Sequence, residues 1–426
     1  MQSTSSRLDN SDNSGNWACR PPQNIEGALV DLADRPIMCA ATNDPSDPSG
    51  EIVYGCSDHA LYAVSTDGFS NSHDGKCESE SLLKPVKLHN KRYGHHDWVT
   101  GVAYTLRGNV VSGGMDGRLC YWSRDKQRCH TMTHHSRSIS GVYNVGNSDI
   151  IVSSGYDCSV AVWDFGNTRE PLHERGAITR SGDNEQVPVL NLRGHKSPVI
   201  EVAVTTSTIA SGGKDGGLLI WDIPSGQQLA RVRGHDNAPC SCLRMTDDSC
   251  VLLSAGGDGK IKLWDPRLKR LLCSQFSSPM GSLSSTRQQQ QQEAITCLAL
   301  LESSSNHFTT ASSNGMVSVY DIRYNASSSE SAENGGRKST ATFSLISTFN
   351  EAIGGVHCLA PLSSSCIAAG DGAGMLIVYD VLRNHICYGL SSSSGGPIKT
   401  ITTTTRRGCN VVTTAGEDGN VLFYRY

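Results

Sequence analysis

Charged and aromatic residues are scarce in this sequence. Of its 426 residues, 18% are Asp, Glu, Lys or Arg, 6% are Phe, Trp or Tyr, and the formal net charge is −4. A chain so close to neutral lacks the basic surface that binds nucleic acid or membranes non-specifically. No apolar run approaches the roughly 20 residues that span a bilayer, and the N-terminus lacks the apolar core of a secretory signal. We therefore expect no nucleic-acid or membrane partner, and a location in the cytoplasm, the nucleus or both.

The cysteines also lack the spacing of a metal site. None of the 16 forms a Cys-x-x-Cys pair, and the closest two, Cys240 and Cys242, lie on one predicted strand. A zinc site read from local sequence needs clustered cysteines with His at ligand spacing. We predict reduced thiols that act as small apolar side chains, and neither a metal nor a cofactor.

Glycine, in contrast, is abundant with 43 residues, and one phrase recurs eight times. It consists of a small hydroxyl residue, an Asp four positions later and an aromatic residue ten positions later, as in Ser211, Asp215 and Trp221. A repeat of this kind determines the architecture, because each copy is one supersecondary unit that packs against its neighbours. Each unit has three apolar, β-branched strands joined by Gly-rich turns, followed by a fourth strand. We predict an all-β protein.

Aligned in register, the eight units share three positions. The hydroxyl position holds Tyr54, Ser112, Ser153, Ser211, Ser254, Thr310, Ala369 and Thr414. The Asp position holds Asp58, Asp116, Asp157, Asp215, Asp258, Asn314, Ala373 and Asp418. The aromatic position holds Val64, Trp122, Trp163, Trp221, Trp264, Tyr320, Tyr379 and Tyr424. The first and seventh units are degenerate.

A His precedes the Asp by about twenty residues in several units, which predicts a buried hydrogen-bond chain. In it the Asp accepts from the His ring, the His reaches the strand hydroxyl, and the Trp indole donates to that hydroxyl. The set repeats in unit after unit, whereas a catalytic triad is one constellation in one cleft, so we interpret it as structural. The predicted network residues are His95, Ser112, Asp116, Trp122, His195, Ser211, Asp215, Trp221, His235, Ser254, Asp258 and Trp264.

The same units end in aromatic-Asp pairs, such as Trp163-Asp164, Trp221-Asp222 and Tyr379-Asp380. Together with the Gly-His pairs Gly94-His95, Gly194-His195 and Gly234-His235, they make residues 27–426 resemble the WD40 repeat family. That resemblance implies a closed β-propeller of four-stranded blades. We expect eight blades, with seven as the alternative. The last unit lacks its outer strand, and we predict that the apolar segment 27–32 supplies it and closes the ring.

The remaining segments have low complexity. Residues 1–26 are rich in Ser, Asn and Asp and are predicted to be a disordered tail. Residues 27–426 form a single propeller, with inserts near 169–187, 277–292 and 327–340 that we interpret as surface loops between blades.

Two groups of residues suggest binding surfaces. Met115, Tyr156 and Lys214 precede the turn Asp in three successive units, and Trp98 opens a neighbouring strand. We predict that these four residues share one rim and anchor a peptide; the alternative is an ordinary rim with scattered large side chains.

The opposite rim carries two adjacent Trp/Tyr-Asp-x-Arg endings. They resemble the docking box of substrate receptors for cullin-4-type ubiquitin ligases, which implies that two Arg side chains meet the ligase adaptor. A strand-end salt bridge is the alternative reading. The residues concerned are Trp264, Asp265, Arg267, Tyr320, Asp321 and Arg323.

These observations predict a non-enzymatic scaffold that binds other proteins or peptide segments, as a monomer within a larger complex. The alternative is a substrate receptor of a cullin-4-type ubiquitin ligase. An enzyme would need acids or His converging outside the repeat positions, and the nearby candidates, His59, His96 and Asp97, are scattered in the sequence.

Overall fold

Short antiparallel strands account for almost all of the described structure. The computed structural model describes residues 17–43, 50–66, 83–89, 93–126, 128–166, 187–246, 251–266, 270–276, 293–301, 306–326, 339–392, 396–406 and 409–426. These residues form 32 strands and one short 3-10 helix. The strands pair into eight four-stranded sheets. No helix in these ranges has the length and apolarity to cross a membrane.

The sheets follow one another along the chain after the 3-10 helix (Trp17–Cys19) and strand β1 (Ala28–Asp31). Blade 1 contains β2 (Ile37–Thr42), β3 (Glu51–Cys56), β4 (Leu61–Ser65) and β5 (Val86–Leu88). Blade 2 contains β6 (Val99–Tyr104), β7 (Val110–Gly114), β8 (Arg118–Trp122) and β9 (Cys129–Thr133). Blade 3 contains β10 (Ile139–Asn144), β11 (Ile150–Gly155), β12 (Ser159–Asp164) and β13 (Leu190–Arg193). Blade 4 contains β14 (Val199–Val204), β15 (Thr208–Gly213), β16 (Gly217–Asp222) and β17 (Gln228–Arg233).

The second half repeats this order. Blade 5 contains β18 (Cys240–Met245), β19 (Leu252–Gly256), β20 (Lys260–Asp265) and β21 (Arg270–Phe276). Blade 6 contains β22 (Ile295–Leu300), β23 (His307–Ser312), β24 (Val317–Ala326) and β25 (Ser339–Phe349). Blade 7 contains β26 (Val356–Pro361), β27 (Cys366–Asp371), β28 (Met375–Asp380) and β29 (His385–Ser391). Blade 8 contains β30 (Ile398–Arg406), β31 (Cys409–Gly416) and β32 (Asn420–Arg425) with β1.

The blades form a closed ring around a channel. The first strand of each blade contacts the first strands of both neighbours, from β2 through β30 and back to β2. The prediction of an eight-bladed propeller is confirmed. The apolar core lies between neighbouring blades: Val53 of blade 1 and Val99 of blade 2, for example, belong to one buried cluster. Because both faces of each sheet are apolar, every blade needs a neighbour on each side, and only a closed ring supplies them all.

Strand β1 completes the last blade. It pairs antiparallel with β32, with Ala28 opposite Phe423 and Asp31 opposite Asn420. The predicted closure is therefore present, and it covers an edge that β32 would otherwise expose. Tyr54 adds a side-chain contact across the same junction, since its hydroxyl donates to Thr413 Oγ1 at 2.9 Å.

The chain is ordered earlier than the sequence suggested. Trp17 packs edge-to-face on Tyr426, with ring centroids 5.0 Å apart, and the Asn24 amide donates to Phe423 O at 2.8 Å. The expectation of a disordered tail is therefore wrong for residues 17–26, because these contacts hold that segment against blade 8. Residues 1–16 lie outside the described residues.

The predicted inserts fall largely outside the described ranges. Residues 167–186, 277–292 and 327–338 are not among the residues that the structure describes. At the third insert, however, strand β25 begins at Ser339 and pairs with β24 along its length, so that insert ends earlier than residue 340.

An irregularity recurs at the same place in every blade. Each first strand shifts register against the second strand immediately after its first residue. The extra residue is a β-bulge, which redirects a side chain. In blade 2 it is Thr100, whose hydroxyl donates to Ile139 O of blade 3 at 2.7 Å. In blade 6 it is Thr296, which donates to Val356 O of blade 7 at 2.6 Å. These bulges link neighbouring blades beside the channel.

Candidate functional site

One end of the ring, here called the turn rim, carries the hairpin turns between second and third strands. The residue before each turn acid lies there at an equivalent position. Its backbone amide donates to a carbonyl just before the first strand: Met115 N to Trp98 O at 2.8 Å, and Tyr156 N to Ser138 O at 2.8 Å. Lys214 N makes the same bond in blade 4. The structure therefore brings the predicted rim residues onto one surface.

The turn acids shape these hairpins. Asp116 Oδ1 accepts from the backbone amide of Arg118 at 3.1 Å, and Asp215 Oδ1 accepts from Gly217 N at 3.1 Å. Such a carboxylate stands in for a backbone acceptor in the turn. The residue between acid and strand has positive φ, 74° at Gly117 and 74° at Gly216, which glycine adopts without strain.

Behind the turn, blade 2 contains the complete predicted hydrogen-bond chain. His95 Nδ1 lies 3.2 Å from Asp116 Oδ1, and His95 Nε2 lies 2.8 Å from Ser112 Oγ. The indole of Trp122 donates to the same Oγ at 3.0 Å. His95 and Ser112 are fully buried, so these bonds satisfy polar groups that water cannot reach.

Blades 3 and 5 repeat the arrangement. In blade 5, His235 Nδ1 lies 2.8 Å from Asp258 Oδ1 and His235 Nε2 lies 2.9 Å from Ser254 Oγ, to which Trp264 donates at 2.8 Å. In blade 3 the same bonds join His135, Asp157, Ser153 and Trp163.

Blade 4 departs from this chain. His195 Nε2 lies 2.7 Å from Ser211 Oγ, and Trp221 donates to that Oγ at 3.0 Å. His195 makes no hydrogen bond to Asp215, and Ser197 Oγ instead donates to Asp215 Oδ1 at 2.7 Å. In blade 4 a serine hydroxyl thus donates to the carboxylate oxygen that the His ring contacts in blades 2, 3 and 5.

The two arrangements give histidines of opposite character. Burial by itself lowers the pKa of His95, but the hydrogen bonds and charges of Asp116 and Cys120 together outweigh it and raise the pKa to about 9. Burial also lowers the pKa of His195, and there the charge of Asp215 does not compensate, so the pKa falls to about 4. At neutral pH, His95 is therefore cationic and His195 is neutral.

The seventh and eighth units, which lack the His, use substitutes that the alignment did not reveal. In blade 7, where Ala373 occupies the Asp position, the fully buried Asp371 accepts from Ala373 N at 3.0 Å and from Met375 N at 2.7 Å. In blade 8, Thr414 Oγ1 donates to Ser392 Oγ at 3.0 Å, a link that involves no histidine. An acid two positions before the expected one was the available signal for Asp371.

An exposed patch interrupts the polar turn rim. Trp98, Met115 and Tyr156 are 44%, 39% and 41% exposed, and Lys214 is exposed on the next blade. We call these four residues the rim patch. Ser138 connects two of them, since its hydroxyl donates to Met115 O at 3.0 Å and its carbonyl accepts from Tyr156 N at 2.8 Å. The side chains therefore sit on a hydrogen-bonded backbone platform that spans blades 2 and 3.

A pocket of about 420 Å³ adjoins the patch between blades 1 and 2. Trp98 forms part of its wall. Burial by itself raises the pKa of Asp58, but hydrogen bonds, first of all those from Lys87 and Tyr62, lower it to about 2, so Asp58 is ionised and forms an ion pair with Lys87 at 2.8 Å. The lining residues are Arg35, Pro36, Ser57, Asp58, His59 and Trp98.

The three catalytic candidates considered from sequence have separate places here. His59 lines this pocket, Asp97 Oδ1 accepts from Trp98 N at 2.8 Å, and the His96 amide donates to Asp116 Oδ2 at 2.9 Å. Asp97 and His96 thus support the loop before β6, and the structure does not bring the three side chains together as an acid–base set.

On the opposite rim, the docking-box residues are mostly inside the blades. Trp264, Asp265 and Tyr320 are 5%, 3% and 1% exposed. Arg323 is the accessible member: its side chain is 67% exposed, and its Nε lies 3.0 Å from Asp321 Oδ2. Arg267 lies outside the described residues. The buried aromatic rings are not available to stack against a partner beside Arg323.

A second cavity opens at the other mouth of the channel. Its volume is about 570 Å³, and the ends of the first strands of blades 1, 2, 3, 7 and 8 line it. Small, neutral side chains line it, such as Ala41, Val142 and Thr402. These side chains offer a partner less contact area and fewer polar groups than the rim patch does.

Comparison with known proteins agrees with this architecture. The family model described as "WD domain, G-beta repeat" matches residues 86–123, 126–164, 186–222 and 226–265. These segments end with the third strands of blades 2 to 5, the blades in which a His, a Ser and a Trp are hydrogen-bonded. The crystal structure of the computationally designed Ika8 protein is similar, with a TM-score of 0.63, 19% identity, and coverage of 93% of this chain and 98% of that one. That likeness concerns the fold alone.

Curated relatives are distant. The p21-activated protein kinase-interacting protein 1-like of Danio rerio is 24% identical over 259 residues, or 53% of this chain and 68% of its own length. The ribosome biogenesis protein WDR12 homolog of Chlamydomonas reinhardtii is 27% identical over 215 residues, or 40% of this chain and 46% of its own length. The match thus spans about two thirds of the first relative and under half of the second. The repeats, the eight four-stranded blades and these similarities together confirm the resemblance to the WD40 repeat family, whose model matches four of the eight blades.

Proposed function

We propose that this protein is a non-enzymatic scaffold that holds other proteins together, and that its rim patch binds an extended peptide segment of a partner. The single observation that carries the proposal is the exposure of Trp98, Met115 and Tyr156 on adjoining blades beside a pocket. Single exposed apolar residues are ordinary on protein surfaces, whereas a contiguous group rimmed by polar residues is typical of an interaction site.

The chemistry of the patch indicates the chemistry of the peptide. Trp and Tyr are the side chains that most often supply the energetic centre of an interface, and Met adapts its shape to different partners. An apolar side chain of the peptide would enter the pocket beside Trp98. Lys214, on the blade beyond Tyr156, is exposed, and it would attract an acidic residue that follows the apolar anchor.

The rigidity of the platform supports this use. The backbone bonds that hold Met115 and Tyr156 against neighbouring loops pre-organise their side chains, so little conformational entropy is lost when a peptide binds. The names of the two relatives, an interacting protein and a ribosome biogenesis protein, agree with a role in a multi-protein assembly in the nucleus or cytoplasm.

The test is affinity purification of the tagged chain followed by mass spectrometry. The double variant Trp98→Ala, Tyr156→Ala should lose specific partners at least about tenfold, as expected when interface anchors are truncated. A matched control is Leu106→Ala, Leu382→Ala, which removes two side chains that are 53% and 62% exposed away from the rim patch. Both variants should keep the parent melting temperature. Equal partner recovery from the two variants would refute binding at the rim patch.

A second candidate function rests on Arg323, the exposed Arg held by Asp321 at 3.0 Å. This second function is the docking of a ubiquitin-ligase adaptor through the paired Trp/Tyr-Asp-x-Arg endings. The names of the two relatives do not support it. An exposed ion pair contributes less than about 1 kcal/mol to folding, so Arg267→Ala, Arg323→Ala should remain folded. Adaptor and cullin subunits that co-purify with the parent chain and vanish with this variant would establish the ligase role. Their absence from both would leave the endings structural.

A further inference from the structure

Three cysteines from distant parts of the sequence meet where the N-terminal segment contacts blade 7. Cys19 ends the 3-10 helix, Cys366 begins β27, and Cys387 lies in β29. All three sulfur atoms lie within 4.8 Å of one another, and Cys19 Sγ lies 3.0 Å from Cys366 Sγ.

This cluster differs from the thiols beside the channel. There, each sulfur has its own backbone acceptor in the next blade: Cys242 donates to Thr296 O at 3.0 Å, and Cys358 donates to Ile398 O at 3.4 Å. In the cluster, the three sulfurs instead lie next to one another. Hydrogen bonding to the backbone accounts for the channel thiols and leaves the convergence of the other three unexplained.

A buried carboxylate adjoins the cluster. Asp380, at the end of β28, is 0% exposed, and its Oδ2 accepts from Cys19 Sγ at 3.3 Å. Its Oδ1 accepts from the Arg383 amide at 2.9 Å, while the Arg383 guanidinium lies farther away, with Nε 3.9 Å from Oδ2. A buried carboxylate is expensive without a close countercharge, and the nearest cation here is on an exposed side chain.

We propose that Cys19, Cys366 and Cys387 bind a Zn²⁺ ion, with the Asp380 carboxylate as the fourth ligand. Tetrahedral zinc with Zn–S bonds of about 2.3 Å holds its sulfurs about 3.8 Å apart, so Cys19 Sγ and Cys366 Sγ, which lie 3.0 Å from each other, would move apart by about 0.8 Å on binding. Thiolates with one carboxylate suit a borderline-soft divalent ion. A disulfide between Cys19 and Cys366 would leave Cys387 and the carboxylate without a role.

Binding exchanges protons for metal. Burial, with help from neighbouring thiols and Asp380, raises the pKa of Cys19 to about 12 and that of Cys387 to about 12, so both are thiols at neutral pH. Each of the three cysteines releases one proton to solvent as its sulfur forms a bond to zinc. Affinity should therefore increase with pH.

The position of the site gives it a structural role. Trp17 and Cys19 pack on an apolar cluster that contains residues of blades 7 and 8, among them Val378 and Tyr424. Strand β1, which closes the ring, follows within ten residues of Cys19. A zinc ion at this point would fasten the start of the closing segment to blade 7 and would protect the ring against opening.

The first measurement is the metal content of the full chain, purified in a phosphine reductant and analysed by mass spectrometry for metals. The expected result is about one zinc per chain, bound by the closed ligand set of a structural site. Cys387→Ser should lose the metal. Cys273→Ser, which changes a half-buried thiol in blade 5, should retain it, and Asp380→Asn should weaken binding roughly tenfold or more.

A second measurement does not depend on variants that may fail to fold. Metal-free parent chain titrated with Co²⁺ should develop thiolate-to-metal charge-transfer bands and the visible bands of tetrahedral cobalt, both of which zinc should bleach. Absence of these bands, zinc retained by Cys387→Ser at the parent level, or a Cys19–Cys366 disulfide in freshly isolated chain would each overturn the proposal.

Discussion

The hydroxyl of Ser197 donates to Asp215 Oδ1 at 2.7 Å, at the acceptor that a histidine ring uses in three other blades. One serine in the loop before β14 thereby separates His195 from the acid of its own turn. The consequence is electrostatic: the charge of Asp215 still favours the protonated ring, but without a hydrogen bond it does not offset burial. Two repeats with the same Gly-His, Ser, Asp and Trp signature thus contain histidines with different charges at neutral pH.

We expect His95 and His195 to titrate far apart. The pKa of His95 is raised to about 9, whereas the pKa of His195 is lowered to about 4. Nitrogen-detected NMR of the histidine rings, assigned with His95→Gln and His195→Gln, should show the first ring protonated and the second neutral at pH 7. Ser197→Ala should raise the pKa of His195, since it frees Asp215 to accept from the ring. Identical titration of the two rings would contradict the role assigned to Ser197.

The same shifts predict how stability depends on pH. His95 has a pKa above its ordinary value of 6.5, so its contribution is fully present below pH 6.5 and is lost as the pH rises toward 9. His195 has a pKa below that value, so stability is lost as the pH falls from 6.5 toward 4. Melting temperatures of the parent and of Asp116→Asn across this range should differ in slope on the alkaline side. Parallel curves there would argue against a cationic His95.

Turn acids should differ in their contribution to stability according to the partners they serve. Asp258→Ala strands the buried His235 ring and should lower the free energy of unfolding by about 1–3 kcal/mol. Asp215→Ala removes the acceptor of Ser197 Oγ and Gly217 N. Because the Asp215 side chain is exposed, water can replace its carboxylate, and the free energy of unfolding should fall by less than about 1 kcal/mol. Chemical denaturation measures both. If Asp215→Ala lowered the free energy of unfolding more than Asp258→Ala, the exposure of the acid would not determine its contribution to stability.

Successive N-terminal truncations should affect the ring in steps. A chain that begins at residue 17 keeps every described contact and serves as the control. A start at residue 25 removes the Trp17–Tyr426 contact and both side-chain hydrogen bonds of Asn24, and should lower the melting temperature. A start at residue 35 also removes β1, which leaves the edge of β32 open, and should cause aggregation. Light scattering and thermal melts together record the two effects. Equal behaviour of the last two chains would disprove closure by β1.

Most of the architecture could be predicted from sequence because it depends on local periodicity. The spacing of Ser211, Asp215 and Trp221 encodes a strand, a turn and a second strand, and repetition of that unit implies a ring. Closure by residues 27–32 followed from a strand missing at one end of the chain and an apolar segment without a partner at the other. Each inference used residues that are neighbours in the chain or equivalent in the repeat.

The site was less predictable, since it depends on side chains that compete in three dimensions. No spacing rule signals that Ser197 displaces His195 from Asp215, or that Trp98 and His59 of neighbouring blades line one pocket. Sequence spacing likewise could not show that Cys19 and Cys366 meet, because they lie 347 positions apart.

The sequence by itself determined the strands, the turns and the three recurring positions of the repeat, because these follow from residue spacings within one unit. Only the tertiary structure decided between eight and seven blades, which donor reaches each turn acid, which rim residues remain exposed, and which thiols lie together. Those outcomes depend on how one blade packs against the next and on where the ring closes, which brings residues from opposite ends of the chain within a few ångströms of each other.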